Sequence, residues 1–475
     1  MDILITLSLS FLLLLFSVFK GYFIAYPLLL SLRLFLAVLI RRGFSLHLLL
    51  KMGLASSQKS FSVLSILLLI GAVTAIWMAA GTVPAIVYYG IQLIHPRYFI
   101  LATFGLTSLV SLLIGTSFGT ASTIGIALMI MARGSGVNPH LIAGAIIAGA
   151  YFGDRCSPMS SSANLIAIVT QTNLYTNIKN MWKTAAVPLI VSIVFYWILS
   201  LLNPVQITDQ TVLSGITQLF KIDLIDLLPA ITILIFSLLQ IDVKLSMITS
   251  IGVAMAIALF HQDYSLLKLI QFMMLGFHLD EATPLQAILL GGGVLSMVKV
   301  AIVVIISTAF VGIFVGTRTL QQVERVLERV KSRRDCFLST CLVGIASAAF
   351  GCTQTIAILL TQQLVEKKYA QIIDTCDSRG EGAAPSRLIS QIGFYSDEPE
   401  YKENEKGNYK LALDLENTVV VIAALIPWNI AALVPATILN TDAGFIPYAV
   451  YLYLVPLLNL IHLRLSTPPR LNLCN

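Results

Sequence analysis

The stretch Gly115-Thr116-Ser117-Phe118-Gly119-Thr120-Ala121-Ser122-Thr123 and the later Gly153-Asp154-Arg155-Cys156-Ser157-Pro158-Met159-Ser160-Ser161-Ser162-Ala163-Asn164 decide how this chain folds. Both are crowded with Gly, Ser, Thr and Asn, yet strongly apolar sequence flanks them. In hydrocarbon an unpaired backbone N–H or C=O costs several kcal/mol. Helix-breaking polar sequence is therefore tolerated at membrane depth only where protein buries it or where it lines a wet cavity. A cavity at the middle of a bilayer suggests transport.

The 475 residues are 57% hydrophobic and 11% charged, with a mean hydropathy of +0.87, outside the usual composition of soluble domains. Apolar runs of spanning length recur from end to end, so one polytopic all-α bundle is expected. The net charge of +6 comes largely from basic loops, which orient a membrane chain rather than bind nucleic acid. Cys156, Cys336, Cys341, Cys352, Cys376 and Cys474 are scattered, without zinc-site or disulfide spacing, and read as small apolar fillers. The N-terminal apolar run to Phe19 lacks a basic n-region and a small-residue cleavage site, so it should be retained as the first membrane helix.

Residues 3–19 and 23–40 make a helical hairpin, followed by Arg41, Arg42, Lys51 and Lys59 in a short loop of cytoplasmic sign. The N-terminus then lies inside as well. Residues 62–89 cross outward and carry a candidate break at Gly81-Thr82-Val83-Pro84. Tyr98 to Met131 is too long for one span, and its break should fall at Gly115 to Thr123. Leu141 to Tyr151 re-enters the membrane, and Asp154 to Asn164 breaks it again around Pro158. Residues 185–202, 227–239 and 247–260 read as plain scaffold spans. Asp280 and Glu281 precede a further glycine break at Gly291. Residues 318–334 are the strongest basic run, and 366–410 form a polar surface insertion.

The expected fold is an all-α polytopic membrane protein of about twelve spans or half-spans, with two inverted-topology repeats and interrupted helices. It divides into an N-terminal hairpin with its basic loop (1–60), a first repeat (61–204), scaffold helices with a basic linker (205–334), a second repeat (335–463) and a tail (464–475). The repeat is visible as sequence: Phe118 to Leu128 matches Phe350 to Leu360 without gaps, sharing Phe, Gly, Thr, Ile, Ile and Leu. Each copy is followed by an acid, a proline and an asparagine, Asp154, Pro158 and Asn164 in one and Glu416, Pro427 and Asn429 in the other. The basic loops give the copies opposite orientations, and paired interrupted helices in inverted repeats mark the binding site of many secondary transporters.

At these residues the chain resembles the NhaC-type sodium/proton antiporter family, within the wider ion-transporter superfamily. The resemblance rests on Gly115 to Thr120 with Thr123 and Gly125, Gly149 to Asp154, Ser157-Pro158, Asn164-Leu165, the glycines before Ser296-Met297, Phe350 to Cys352 with Gln354, Leu415-Glu416, and Leu425 to Asn429. It covers about residue 60 to residue 440. One departure stands out: where the family pattern commonly reads Ser-Pro-Leu-Ser-Asp-Thr-Thr-Asn, Ser161 replaces the acid and Ala163 a threonine. The resemblance implies a secondary active transporter working by alternating access, a sodium or other monovalent-cation/proton antiporter. The alternative it allows is a proton- or sodium-coupled exchanger of a small organic acid or amino acid.

Hard cations prefer carboxylate, carbonyl and hydroxyl oxygen, and the two breaks offer all three. Asp154 and Glu416 supply charge for Na+. Ser117, Thr120, Thr123, Ser157, Ser160, Ser161, Asn164, Gln354, Thr355 and Asn429 supply neutral ligands for ion or substrate. A carboxylate that either binds a cation or is protonated couples the two by competition, so no cofactor is expected beyond Na+ and H+ as coupling ions. Arg155 either neutralises Asp154 or clamps a carboxylate substrate; Trp428 either walls a cavity or packs. No His-Glu-x-x-His pair, Gly-x-Ser-x-Gly elbow or nucleotide loop argues for an enzyme. The expected partners are the lipid bilayer and monovalent cations or a small organic anion, in the plasma membrane of a prokaryote as a multi-pass protein, and a homo-oligomer is compatible with this.

Overall fold

The computed structural model describes residues 2–58, 61–204, 216–239, 241–279, 292–317, 332–377 and 406–466, and among these it is helical with no strand. Asp280, Glu281, Gly291, nearly all of the 318–334 basic run and most of the 366–410 insertion lie outside the described residues.

Helices α1 (Asp2–Phe19) and α2 (Ala25–Arg41) pack as the expected hairpin. The segment carrying Lys51 is not a short loop. It forms α3 (Leu46–Gln58), which buries Leu49 and Gly53 and packs against residues 298–316. Next, α4 (Phe61–Ala79) and α5 (Thr82–Leu93) meet at a bend of 67° around Gly81, whose φ of 78° suits glycine.

The first broken region comprises α6 (Phe99–Ile114), α7 (Ser117–Thr120), a π-helical turn (Ala121–Gly125), α8 (Ile126–Gly134), α9 (Pro139–Cys156) and α10 (Ser161–Val169). Scaffold helices follow: α11 (Leu174–Leu202), α12 (Leu228–Leu238), α13 (Val243–Phe260), α14 (Leu266–Leu275) and α15 (Val298–Gly316). The second broken region contains α16 (Arg333–Gly351), α17 (Gln354–Asp377), α18 (Lys406–Leu415), a second π-helical turn (Glu416–Val420), α19 (Val421–Ala423) and α20 (Ile430–Ile438), and α21 (Val450–Ser466) closes the bundle.

Among the described residues, four helices are by length and composition able to cross a bilayer, Pro96–Ile114, Leu174–Leu202, Val243–Phe260 and Val294–Phe314, and the bent α4–α5 pair makes a fifth. Elsewhere apolar sequence is cut into shorter helices by the breaks themselves.

The two broken regions share one construction. Helix α6 ends on Gly115 at φ 72° and α16 ends on Cys352 at φ 50°, both left-handed, and each is followed by a threonine, Thr116 or Thr353, and a new helix. Both α10 and α20 are nine residues long and start from a side-chain N-cap, Ser160 or Asn429. Both end in a left-handed residue, Gln171 at φ 53° or Asn440 at φ 49°. The Thr172 N–H reaches back to the Ala167 carbonyl (2.9 Å), and the Thr441 N–H to that of Ala436 (2.8 Å). This pairing puts Gly115 opposite Cys352, five residues out of step with the Phe118–Phe350 sequence match.

Each short helix docks on the other half. Helix α10 packs against α17 and α18, and α20 packs against α7 and the first π turn. Gln362 on α17 donates to the Val169 carbonyl at the end of α10 (3.3 Å). Arg133 on α8 donates to the Leu439 and Asn440 carbonyls at the end of α20 (2.9 and 2.8 Å). These helix-end carbonyls have no partner within their own helices and need one in a membrane.

Candidate functional site

The first site is built by two breaks pressed together. A side chain at position 115 would run into Met159 and the Ser160 backbone, so glycine there both permits the left-handed turn and admits the neighbouring loop. On the facing helix, side chains at Gly149 and Gly153 would collide with the α6 backbone or its Thr107 and Ser111 side chains. Their absence brings α6 and α9 close enough for Ser111 to donate to the Ala150 carbonyl at 2.5 Å. Small residues allowing such backbone approach are the usual means of packing membrane helices. The consequence is that the last turn of α9, with Asp154, lies against the break at Gly115–Ser117.

Asp154 is 5% exposed. Ser117 Oγ donates to Oδ2 at 3.0 Å and Ser160 Oγ to Oδ1 at 2.8 Å, so one hydroxyl from each break holds each carboxylate oxygen. Ser160 also lies 2.9 Å from the Ser162 hydroxyl and caps α10 through the Ala163 N–H (3.2 Å). Among the described residues no Lys, Arg or His lies within ion-pair distance of Asp154. A buried carboxylate held by neutral donors is a place where a cation or a proton can supply the missing charge.

Arg155 turns away from its sequence neighbour. It is fully buried, with Nη1 donating to the Tyr451 hydroxyl (3.1 Å) and Nη2 to Thr184 Oγ1 (2.8 Å) and to the Asn417 side-chain oxygen. Thr184 donates to the same Asn417 oxygen at 3.1 Å. Both terminal nitrogens are thus engaged by protein, and Nε alone has no hydrogen-bond partner.

Beside Asn417, Glu416 opens the second π turn, 1% exposed, with neither carboxylate oxygen hydrogen-bonded. The charged groups acting on it are Arg155 and Asp154. Short π segments recur at functional sites, and a buried acid without partners needs a functional reason. The two acids are not equivalent positions: Asp154 lies in the last turn before its break, whereas Glu416 lies about two turns before the break at 424–429.

The remaining expected ligands separate into distinct places. Thr120 donates to the Thr116 carbonyl (2.9 Å) and Thr123 to that of Gly119 (2.7 Å), both back-bonding within their own turn. Ser157 accepts the Met159 N–H (3.2 Å) and shapes the loop. Asn164 donates to the Pro158 and Ser160 carbonyls (3.1 and 2.7 Å). Gln354 donates to the Val420 carbonyl (3.0 Å), tying the second break to the π turn. Asn429 caps α20 and donates to the Ala348 carbonyl (2.7 Å). Ser161 and Thr355 are exposed. Trp428 is buried and donates to the Ala349 carbonyl at 2.7 Å, so it packs and anchors the break.

Sequence reasoning missed Asn417, Thr184, Tyr451 and Tyr151. Tyr151 lies one turn before Asp154 and donates across to the Ala431 carbonyl at 2.8 Å. Only Asn417 carried a signal, as a polar neighbour of Glu416 within apolar sequence.

Comparison with known proteins shows what this chain is similar to. A model of the Na+/H+ antiporter family matches residues 149–373. The chain is 28% identical over 316 residues to a malate-2H+/Na+-lactate antiporter of Bacillus subtilis, covering 65% of this chain and 67% of that one. It is 25% identical over 405 residues to an uncharacterized Na+/H+ antiporter of Haemophilus influenzae, covering 82% and 80%. With the Na+/H+ antiporter NhaC of Alkalihalophilus pseudofirmus it shares 24% identity over 402 residues, 83% and 80% of the two chains. Over most of its length the chain is thus similar to members of the Na+/H+ antiporter family.

Proposed function

We propose that the chain exchanges sodium, or another monovalent cation, for protons across the plasma membrane by alternating access. The observation that carries this is Asp154, buried in the last turn of α9 with one serine hydroxyl on each oxygen and no positive side chain beside it. In the empty state Ser117 and Ser160 donate to the carboxylate. When a cation arrives, the same hydroxyls rotate and present lone pairs, since a hydroxyl both donates and accepts. A proton satisfies the carboxylate equally, so cation and proton exclude one another. Glu416, without hydrogen-bond partners in the second π turn, is the second carboxylate of the pathway.

The breaks remove the backbone regularity that would seal each half of the membrane, and exchange follows from small movements of the short helices α10 and α20 against the opposite half. The organic-anion alternative would draw on Arg155, and a relative is named as a malate and lactate exchanger. Here the Arg155 amino groups are committed to Tyr451, Thr184 and Asn417, which favours the cation reading. The test is purified protein in vesicles carrying a pH dye: sodium added against a proton gradient should collapse it, whereas malate, lactate and amino acids should not.

A further inference from the structure

Apart from Asp154, the described residues enclose a cavity of about 130 Å³ where scaffold meets broken helix. Its polar lining is Thr116, Ser122 and Thr123 from the first break and Ser246 from α13, with Met159 and Met247 among its apolar walls. It lies next to the site in the chain: Thr116 precedes Ser117 and Met159 precedes Ser160, the two residues that hold Asp154. No charged residue lines it.

The hydroxyls here have a common orientation. Ser122 donates to the Gly119 carbonyl (3.1 Å), Thr123 to the same carbonyl (2.7 Å), and Ser246 to the Asp242 carbonyl (3.0 Å). Each proton is used inside its own helix, so what faces outward from each oxygen is lone-pair density. Three of the four lining hydroxyls, all but that of Thr116, thus turn acceptor oxygen to the cavity, which favours a cation over an anion. The volume admits a monovalent ion with a few of its waters. Ser246 lies just before the expected scaffold span 247–260, and neither it nor Ser122 was among the expected ligands.

We infer that this cavity is an outer cation site, in which a partly hydrated monovalent cation is held by Ser122, Thr123 and Ser246 before it passes to Asp154. This rests on the cation-exchange reading above and adds a second binding place on the boundary between α13 and the first π turn. Neutral oxygens hold an ion weakly, so the outer site concentrates cations and leaves selection to the carboxylate.

The test uses the full chain in vesicles with its six native cysteines replaced, carrying Ser246→Cys or Ser122→Cys. A small cationic thiol reagent should modify either cysteine about tenfold faster than an anionic reagent of equal size, the sign expected of a cation-favouring cleft. Sodium should slow the modification. Separately, Ser246→Leu in the otherwise unchanged protein, which fills the cavity without touching Asp154, should raise the KM for sodium several-fold. Equal rates with the two reagents, no protection by sodium, or an unchanged KM in Ser246→Leu would each overturn the outer site. If the cysteines show cation preference and sodium protection while no cation drives proton movement, the outer site stands and the exchange reading falls.

Discussion

Arg155 Nη2 donates to the side chain of Asn417, joining the residue after Asp154 in one half of the molecule to the residue after Glu416 in the other. The arginine adjacent to the first acid is thereby spent on the segment carrying the second. Two consequences follow: Asp154 keeps no counterion, and the second π turn is held by a charge-assisted bond from α9.

Replacing Arg155 by Met should therefore damage the fold more than chemistry at Asp154 alone would suggest. Tyr451, Thr184 and Asn417 each lose a charged donor, and a hydrogen bond to a charged group contributes roughly 1.5–3 kcal/mol. The expected result is a clearly lowered unfolding midpoint in detergent. A midpoint equal to wild type would mean that the network is not structural.

Glu416→Gln should behave differently. The carboxylate makes no hydrogen bond among the described residues, so the amide should leave the unfolding midpoint nearly unchanged. Sodium-driven proton movement should be lost or strongly reduced. Normal exchange in this variant would remove Glu416 from the pathway.

Ser117→Ala and Ser160→Ala each take one hydroxyl from Asp154. Because the hydroxyls turn their lone pairs to the bound ion, each variant loses an oxygen ligand in the bound state, and each should weaken sodium affinity by about tenfold or more. Ser160→Ala should also lower stability by about 1 kcal/mol through loss of the α10 cap. Sodium titrations of the exchange rate, with unfolding curves beside them, separate the two effects. Equal stability of both variants would contradict the capping role.

Ser161 is the exposed first residue of α10, where the family pattern commonly has an acid. An aspartate in a first helical turn is favourable, so Ser161→Asp should fold normally. It should lower the sodium concentration for half-maximal exchange. An unchanged concentration would show that position 161 is not part of the cation path.

The all-helical membrane fold was legible because hydropathy at this level has few other solutions, and the breaks were legible because Gly115 and Pro158 sit where apolar sequence is too long or too polar to continue. The helix at Leu46–Gln58 was hidden by its charges: Lys51 reads as loop until α15 is there to pack against. The sequence match and the two similar helix ends also fall at different residues. Phe118 and Phe350 match in sequence, but the backbone equivalence follows Gly115 and Cys352, where a cysteine adopts a conformation that sequence would assign to glycine. Asp154 was legible as an acid beside a break. That Arg155 would leave it and cross to Asn417 was not, since pairing across the fold carries no local signal.

The most direct test of the central claim is sodium-driven proton movement by Asp154→Asn in vesicles with a pH dye, compared with wild type across pH. The amide keeps the shape and accepts a hydrogen bond on one oxygen, so the protein should fold with a near-normal unfolding midpoint, yet exchange should be absent at every pH. Wild-type exchange rates in Asp154→Asn would contradict the claim that this carboxylate is where cation and proton compete.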